Sequence, residues 1–186
     1  MVSAQRRNHT GCVIAMSVGV HDAFRGCCVF NCLKILKMTT DDERYMRMAL
    51  AEAEEAARAG EIPVGAVVVC KGRIVGRGHN LTEALNDVTA HAEMQAITAA
   101  AETLGGKYLT ECTLYVTVEP CLMCAGAIGW AQLQRIVIGA PDEKRGYSVM
   151  VSRKPFHPRA TVTEGVLREE CAALMRDFFI ARRRMS

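Results

Sequence analysis

The most informative segment of the chain reads Thr113-Leu114-Tyr115-Val116-Thr117-Val118, then Glu119-Pro120, then Cys121-Leu122-Met123-Cys124. Its first six residues form an apolar run that is typical of a strand buried on both faces. Pro120 suits the first position of a helix, where its missing N–H costs nothing. The segment therefore predicts a buried strand that leads directly into a helix, with both cysteines on one helix face.

The sequence on both sides of this segment alternates between helical and strand patterns. Lys71-Gly72 marks a hairpin turn between two strands, and Gly60 and Gly105-Gly106 mark the ends of helices. The predicted elements are a helix over 41–60, strands over 64–70 and 73–79, a helix over 91–104, a strand over 113–118, a helix from 120 to about 131, a strand over 135–139 and a helix over 166–184. A hairpin followed by strand–helix–strand alternation predicts an α/β protein, specifically a three-layer α/β/α domain around a central mixed sheet.

The first 37 residues differ from the rest, because they show no clear periodicity and hold four of the nine cysteines. Helix-start residues follow immediately, with Thr39, Thr40 and Asp41 as possible N-caps. We expect residues 1–37 to be a leader that is disordered or not part of the native protein, and residues 38–186 to form one domain. Nine is an odd number of cysteines, which argues against a closed disulfide framework and favours a reducing, cytoplasmic location. No apolar run approaches the ~20 residues that span a bilayer, so we expect no membrane partner.

A metal site is predicted from Cys121-Leu122-Met123-Cys124 together with His91-Ala92-Glu93. With Thr89 as its N-cap, the helix that follows would place His91 in its first turn, and two helix N-termini would then converge. Two thiolates and one imidazole suit zinc better than magnesium, calcium or manganese. Three protein ligands, namely His91, Cys121 and Cys124, leave a position for water, whose pKa zinc lowers from about 15.7 to about 7. Glu93 is then free to move protons.

Other interpretations of these motifs remain open at this point. A Cys-x-x-Cys pair also occurs in thioredoxin-type redox sites and as half of a structural zinc site. In the structural case, Cys112 or Cys171 could supply a fourth thiolate. A catalytically silent zinc-stapled module for dimerisation or RNA binding is therefore an alternative, but a structural zinc needs no spare carboxylate such as Glu93.

Several stretches resemble the cytidine/deoxycytidylate deaminase superfamily, in particular its bacterial tRNA adenosine deaminases of the TadA type. The resemblance covers roughly residues 41–184. It is carried by Glu61-Ile62-Pro63-Val64-Gly65-Ala66-Val67, Gly78-His79-Asn80, Thr89-Ala90-His91-Ala92-Glu93, Thr113 to Cys121, Cys124-Ala125-Gly126-Ala127, Thr163-Glu164-Gly165, Glu170 to Leu174 and Asp177-Phe178-Phe179.

The resemblance implies a cytidine-deaminase-like fold and a homodimer with one zinc per subunit. It implies that the protein hydrolyses adenosine to inosine at the wobble position of a tRNA anticodon. Glu93 would be the catalytic proton shuttle, and His91, Cys121 and Cys124 would be the metal ligands. The residues that match substrate-binding positions of the family are Ile62, Asn80, Ala92 and Asp142.

The chain departs from the family pattern at three places where flanking nucleotides would sit. These are Val88, the segment Lys144-Arg145-Gly146-Tyr147-Ser148, and Phe156-His157-Pro158. The departures leave the zinc chemistry intact but keep a second substrate class open, namely free bases or nucleosides such as guanine or cytidine. Basic residues near the C-terminus, among them Arg176, Arg182, Arg183 and Arg184, form either a solvated helix end or a rim for RNA phosphates.

Overall fold

The fold is described from a computed structural model of the 186-residue chain, and the structure describes residues 40–185. The predicted leader, residues 1–37, lies outside the described residues, so its nature stays a prediction. All predicted helices and strands are present, with ends within two residues of those expected. They are α1 (Asp41–Arg58), β1 (Gly65–Cys70), β2 (Arg73–His79), α2 (Ala92–Leu104), β3 (Cys112–Val118), α3 (Leu122–Trp130), β4 (Arg135–Ala140), α4 (Tyr147–Met150), β5 (Thr161–Glu164) and α5 (Arg168–Met185).

Two of these elements, α4 and β5, were not predicted. Each has only four residues, which is too short for a hydrophobic period to be visible. Strand β5 is held at the edge of the sheet by its pairing with β4. Of the possible N-caps of α1, Thr40 is the one used, because its side chain accepts a hydrogen bond from the Glu43 N–H at 3.2 Å.

The five strands form one mixed sheet in the order β2-β1-β3-β4-β5. Strand β1 runs antiparallel to both β2 and β3, whereas β3, β4 and β5 are parallel. Lys71 and Gly72 both have positive φ, of 49° and 76°, as a tight hairpin turn requires. Because β3 and β4 are parallel, their carboxyl ends meet at the same edge of the sheet, which is where ligand sites of such sheets are found.

The helices cover both faces of the sheet, as the three-layer prediction required. On one face, α2 and α3 pack against residues that include Val68, Leu114 and Ile136. On the other face, α1 and α5 pack against alternate residues that include Val67, Tyr115 and Val137. The alternation along β1 and β3 follows from the two-residue period of a strand, and it confirms the predicted architecture.

Glycines allow α2 to lie very close to strand β2. A Cβ atom built at Gly78 would lie 2.6 Å from the backbone nitrogen of Ala96 and would overlap the carbonyl oxygen of Ala92. Gly76 stands in the same relation to Ala100, whose nitrogen would be 2.7 Å away. The first turn of α2, which follows His91, is therefore positioned by direct contact between backbones.

We expect Gly78→Ala to destabilise the protein by about 1–3 kcal/mol and to weaken zinc retention, because α2 must move away from the sheet. Thermal melting and zinc content per chain measure the two effects. Gly106→Ala is the matched control, since nothing lies within 4 Å of its Cβ position. Equal melting temperatures for the two variants would contradict this account of the packing.

Within residues 40–185, no helix combines the length and the apolar composition needed to cross a membrane.

Candidate metal centre and active site

Two helix starts meet at the carboxyl edge of the sheet. His91 is the N-cap of α2 and Cys121 is the N-cap of α3, and both have extended backbone conformations. Neither side chain makes a capping hydrogen bond. Both side chains are therefore available to a ligand, and the positive ends of two helix dipoles point to the same place.

Two predictions about helix starts were wrong in detail. Thr89 does not cap α2, because its hydroxyl donates to Asp87 Oδ1 at 2.7 Å and forms part of the preceding turn. Pro120 is not the first helical residue, because Cys121 is the N-cap and α3 begins at Leu122. The convergence of two helix N-termini is confirmed nevertheless.

The three predicted donors lie at the spacing that zinc requires. The Nδ1 atom of His91 is 3.6 Å from the Sγ of Cys121 and 3.5 Å from the Sγ of Cys124. A tetrahedral zinc with bonds of about 2.0 Å to nitrogen and about 2.3 Å to sulfur places these atoms about 3.5 Å apart. The donor atoms of all three residues lie within 4.8 Å of one another. The residues therefore fit zinc in both chemistry and distance.

A fourth protein donor is not found in the described part of the chain. Cys112 is buried in the core between the sheet and α2, and Cys171 is buried on the opposite face. Neither belongs to the group of residues that could hold a metal ion. The alternative in which one of them closes a structural zinc site is thus excluded for residues 40–185, and three-donor sites are typical of catalytic zinc.

The two sulfur atoms of the site are hydrogen-bonded to each other. The Cys124 thiol donates to Cys121, and this hydrogen bond is the main reason why the pKa of Cys121 is lowered to about 4. The same hydrogen bond and burial raise the pKa of Cys124. Cys121 is therefore a thiolate at neutral pH, and metal binding has to displace the proton of Cys124.

Glu93 is buried in the first turn of α2, beside the metal donors. Burial raises the pKa of its carboxyl group to about 7, and the Cys124 side chain hydrogen-bonds to it. A carboxyl group that titrates near neutral pH can both take up and release a proton. The site thus combines a metal position with an adjacent buried carboxyl group.

The predicted substrate-binding residues lie in three different settings. Ile62 is exposed, whereas Ala92 and Asn80 are buried at the start of α2 and just after β2. Asp142 follows β4, and its Oδ1 accepts the backbone N–H groups of Lys144 and Arg145, each at 3.0 Å. Asp142 therefore stabilises its own loop, and its contact with substrate stays a prediction.

Two buried carboxylates beside the site were missed by the sequence analysis. Glu61 accepts hydrogen bonds from Asn80, Thr82 and two backbone N–H groups. Glu119 accepts the N–H groups of Asp142 at 3.2 Å and Ser148 at 2.9 Å, and so holds the loop after β4. The signal available in the sequence was a glutamate next to a buried strand. Glu61 comes shortly before β1, and Glu119 comes directly after β3.

Comparison with known proteins agrees with this geometry. A family model described as the cytidine and deoxycytidylate deaminase zinc-binding region matches residues 39–140, which include all three donors and Glu93. A solved structure from studies of A-to-I editing by tRNA:A34 deaminases at the wobble position of transfer RNA superposes with a TM-score of 0.66. It is 42% identical and covers 70% of this chain and 98% of its own. The fold and the site together define a zinc-binding deaminase.

Curated relatives give a more particular similarity. The tRNA-specific adenosine deaminase of Bacillus subtilis (strain 168) is 44% identical over 144 residues, which cover 75% of this chain and 89% of that protein. The chloroplastic tRNA(adenine(34)) deaminase of Arabidopsis thaliana is 45% identical over 160 residues, but the match spans only 12% of that protein's length. This chain belongs to the cytidine and deoxycytidylate deaminase family, and the predicted resemblance to its bacterial tRNA adenosine deaminases is confirmed.

Proposed function

We propose that the protein hydrolyses adenosine to inosine at the wobble position of a tRNA anticodon. The observation that carries the proposal is the group of three zinc donors beside the buried Glu93 in a chain that shares 44% identity with a tRNA-specific adenosine deaminase. Because a buried carboxyl group lies next to the metal position, the site has the parts that hydrolytic removal of an amino group requires.

In the proposed mechanism, bound zinc supplies Lewis-acid activation of water near neutral pH. Glu93 takes a proton from the attacking water and delivers it to a ring nitrogen of the purine. It then takes the proton of the hydroxyl group that was added to the purine carbon and gives it to the departing amino group, so that adenosine and water give inosine and ammonia. Asn80, Ile62, Ala92 and Asp142 are proposed to hold the nucleoside in position.

A groove between α5 and the loop after β4 supports an RNA substrate. Its volume is about 450 Å³, and it is lined by Lys144, Met175, Arg176, Phe179, Ile180 and Arg183. Three cations can approach phosphates, and the half-exposed ring of Phe179 offers a stacking surface. Neither feature is needed by an enzyme that takes a free base.

The substrate is tested by incubating the zinc-loaded protein with an anticodon stem-loop that carries a wobble adenosine, and separately with adenosine, cytidine and guanine. We expect inosine in the RNA and no ammonia from the three small molecules. Release of ammonia from free guanine or cytidine, without inosine in the stem-loop, would establish the alternative substrate class. No turnover of any substrate by the fully zinc-loaded protein would favour the catalytically silent module.

The homodimer is likewise a proposal, supported by an apolar face on α3 and α4. Met123 and Trp130 are exposed on one side of α3, and Val149 and Met150 are exposed on α4. Trp130 is 84% exposed, and solvated monomers rarely leave such apolar groups together on one surface. A second copy of the chain would remove this surface from water.

The free cysteines of the described region and the thiolate donors suit a reducing compartment, so we propose that the dimer is cytoplasmic.

We expect Trp130→Glu to convert the dimer into a monomer of 20.3 kDa, measured by sedimentation equilibrium. A buried charge at the interface would cost more than the lost aromatic contact alone. Ile180→Glu is the control, because Ile180 is 40% exposed but lies on α5, which packs on the opposite face of the sheet. A wild-type chain that stays monomeric at micromolar concentration would overturn the proposal.

A further inference from the structure

Glu61 is a buried carboxylate that holds two loops together. Only 1% of its surface is exposed, and both oxygens are engaged. Oε1 accepts the backbone N–H groups of Glu83 at 3.0 Å and Ala84 at 2.8 Å. Oε2 accepts from Asn80 Nδ2 at 2.9 Å and from the Thr82 hydroxyl at 3.2 Å. Burial alone would raise the pKa of Glu61, but these four donors outweigh it and the pKa is lowered, so the group is ionised at neutral pH.

The loop that Glu61 holds leads directly to the zinc donors. The N–H of Asn80 donates to the carbonyl of Val64 at 3.1 Å, and the N–H of Leu81 donates to the carbonyl of Ala90 at 3.0 Å. Ala90 precedes His91, and the end of β2 is in backbone contact with the first turn of α2 near Ala92. The carboxylate therefore connects the end of α1 with the loop after β2, and that loop leads to the start of α2.

The chemistry of this contact fixes the orientation of the Asn80 amide. An ionised carboxylate can only accept hydrogen bonds, so Asn80 must turn its NH2 group toward Glu61. The same nitrogen donates to Thr82 Oγ1 at 3.0 Å, so both acceptors lie on one side of the amide. The Oδ1 atom makes no hydrogen bond to the described part of the chain. Because the described residues include no buried side-chain oxygen or nitrogen without a partner, Oδ1 must be at least partly open to solvent, where it can accept a hydrogen bond from a ligand.

We propose that Glu61 is a positioning residue for deamination, which acts by holding the Asn80 amide in one orientation before the nucleoside binds. The inference rests on the proposed function, since it takes Asn80 as a contact to the substrate. Glu61 itself does not touch the substrate. Pre-orientation removes the cost of ordering Asn80 on binding and prevents the flipped amide from meeting the nucleoside.

Glu61→Gln tests the proposal, because glutamine keeps the shape but can donate as well as accept. We expect kcat/KM for the stem-loop to fall by about 10–100-fold while zinc content stays at one per chain. In an Asn80→Ala background, the same substitution should change kcat/KM by less than about threefold, because nothing remains to be oriented. A purely structural role predicts the same fold-loss in both backgrounds, and that result would overturn the proposal.

Glu119→Gln is the matched control. Glu119 is also a buried carboxylate that accepts two backbone N–H groups, but it has no hydrogen bond to Asn80. Glu119→Gln and Asn80→Ala should act independently, so that the fold-loss in kcat/KM of the double variant equals the product of the two single losses. Coupling of equal size for Glu119 and Glu61 would show a general loss of stability and would contradict a specific role for Glu61.

A second measurement does not depend on activity. In ¹⁵N–¹H spectra, the side-chain amide resonances of Asn80 should shift in Glu61→Gln, and more weakly in Thr82→Val, which keeps the carboxylate. If neither variant moves these resonances, the positioning role is wrong. If they move as expected but the wild-type chain does not edit the stem-loop, the proposed substrate fails and the orientation of Asn80 by Glu61 stands.

Discussion

Glu93→Gln is expected to retain one zinc per chain and to lose about 10³-fold or more in kcat, because an amide cannot carry a proton between water and the purine. The substitution preserves the size of the side chain in a position that is buried beside the metal donors. The measurements are single-turnover deamination of the stem-loop, zinc content by elemental analysis, and thermal melting.

Glu102→Gln provides the control for Glu93→Gln. Glu102 lies on the same helix, α2, but is exposed to solvent. The Glu102→Gln variant should deaminate the stem-loop at the wild-type rate. A Glu93→Gln enzyme within tenfold of wild type, with zinc bound, would remove Glu93 from the mechanism.

Cys124→Ser is expected to abolish both zinc retention and activity. Zinc needs the thiolate, and a serine hydroxyl stays protonated and is a poor ligand for it. The replacement is nearly isosteric at a position with no solvent exposure, so a loss of function is assigned to the ligand. The expected result is well below one zinc per chain and no detectable inosine. Cobalt-substituted wild type should show sulfur-to-metal charge transfer that weakens in the variant.

Cys112→Ala tests whether any buried cysteine would give the same result. Cys112 is equally buried but is not among the metal donors, so its variant should keep a full complement of zinc.

Zinc should also leave the wild-type protein as the pH falls. The hydrogen bond to Cys121 raises the pKa of Cys124, so protons compete well for that sulfur, and lower pH favours the metal-free form. Zinc content that does not change down to pH 4 would contradict this.

Much of the fold follows from local patterns in the sequence. The hairpin at Lys71-Gly72 and the buried run of β3 are each determined by neighbouring residues and were predicted correctly, and the cap at Thr40 is one of the three candidates that the sequence offered. Strand β5 could not be predicted in this way. Its four residues are polar or half-buried, and it exists because β4 offers an unpaired edge.

The same distinction between local and distant determinants applies to the candidate site. The donors were predictable because zinc ligands have characteristic residue types and spacings, as in Cys121 and Cys124. The cap at Thr89 was predicted wrongly because the hydroxyl and the backbone N–H of Thr89 both donate to Asp87 instead, within the preceding turn. Glu61 was missed because its partners lie 19 to 23 residues further along the chain, and a pairing over that distance leaves no periodic signal.

The placement of the helices on opposite faces of the sheet has a consequence for redesign. The helices that start at the zinc donors belong to one layer, whereas α5, with the basic groove, belongs to the other. In the proposed function, the zinc centre and the basic groove would therefore contact one RNA from different layers of the same domain. Substitutions on the exposed side of α5 are thus a route to altered RNA preference that leaves the zinc donors unchanged.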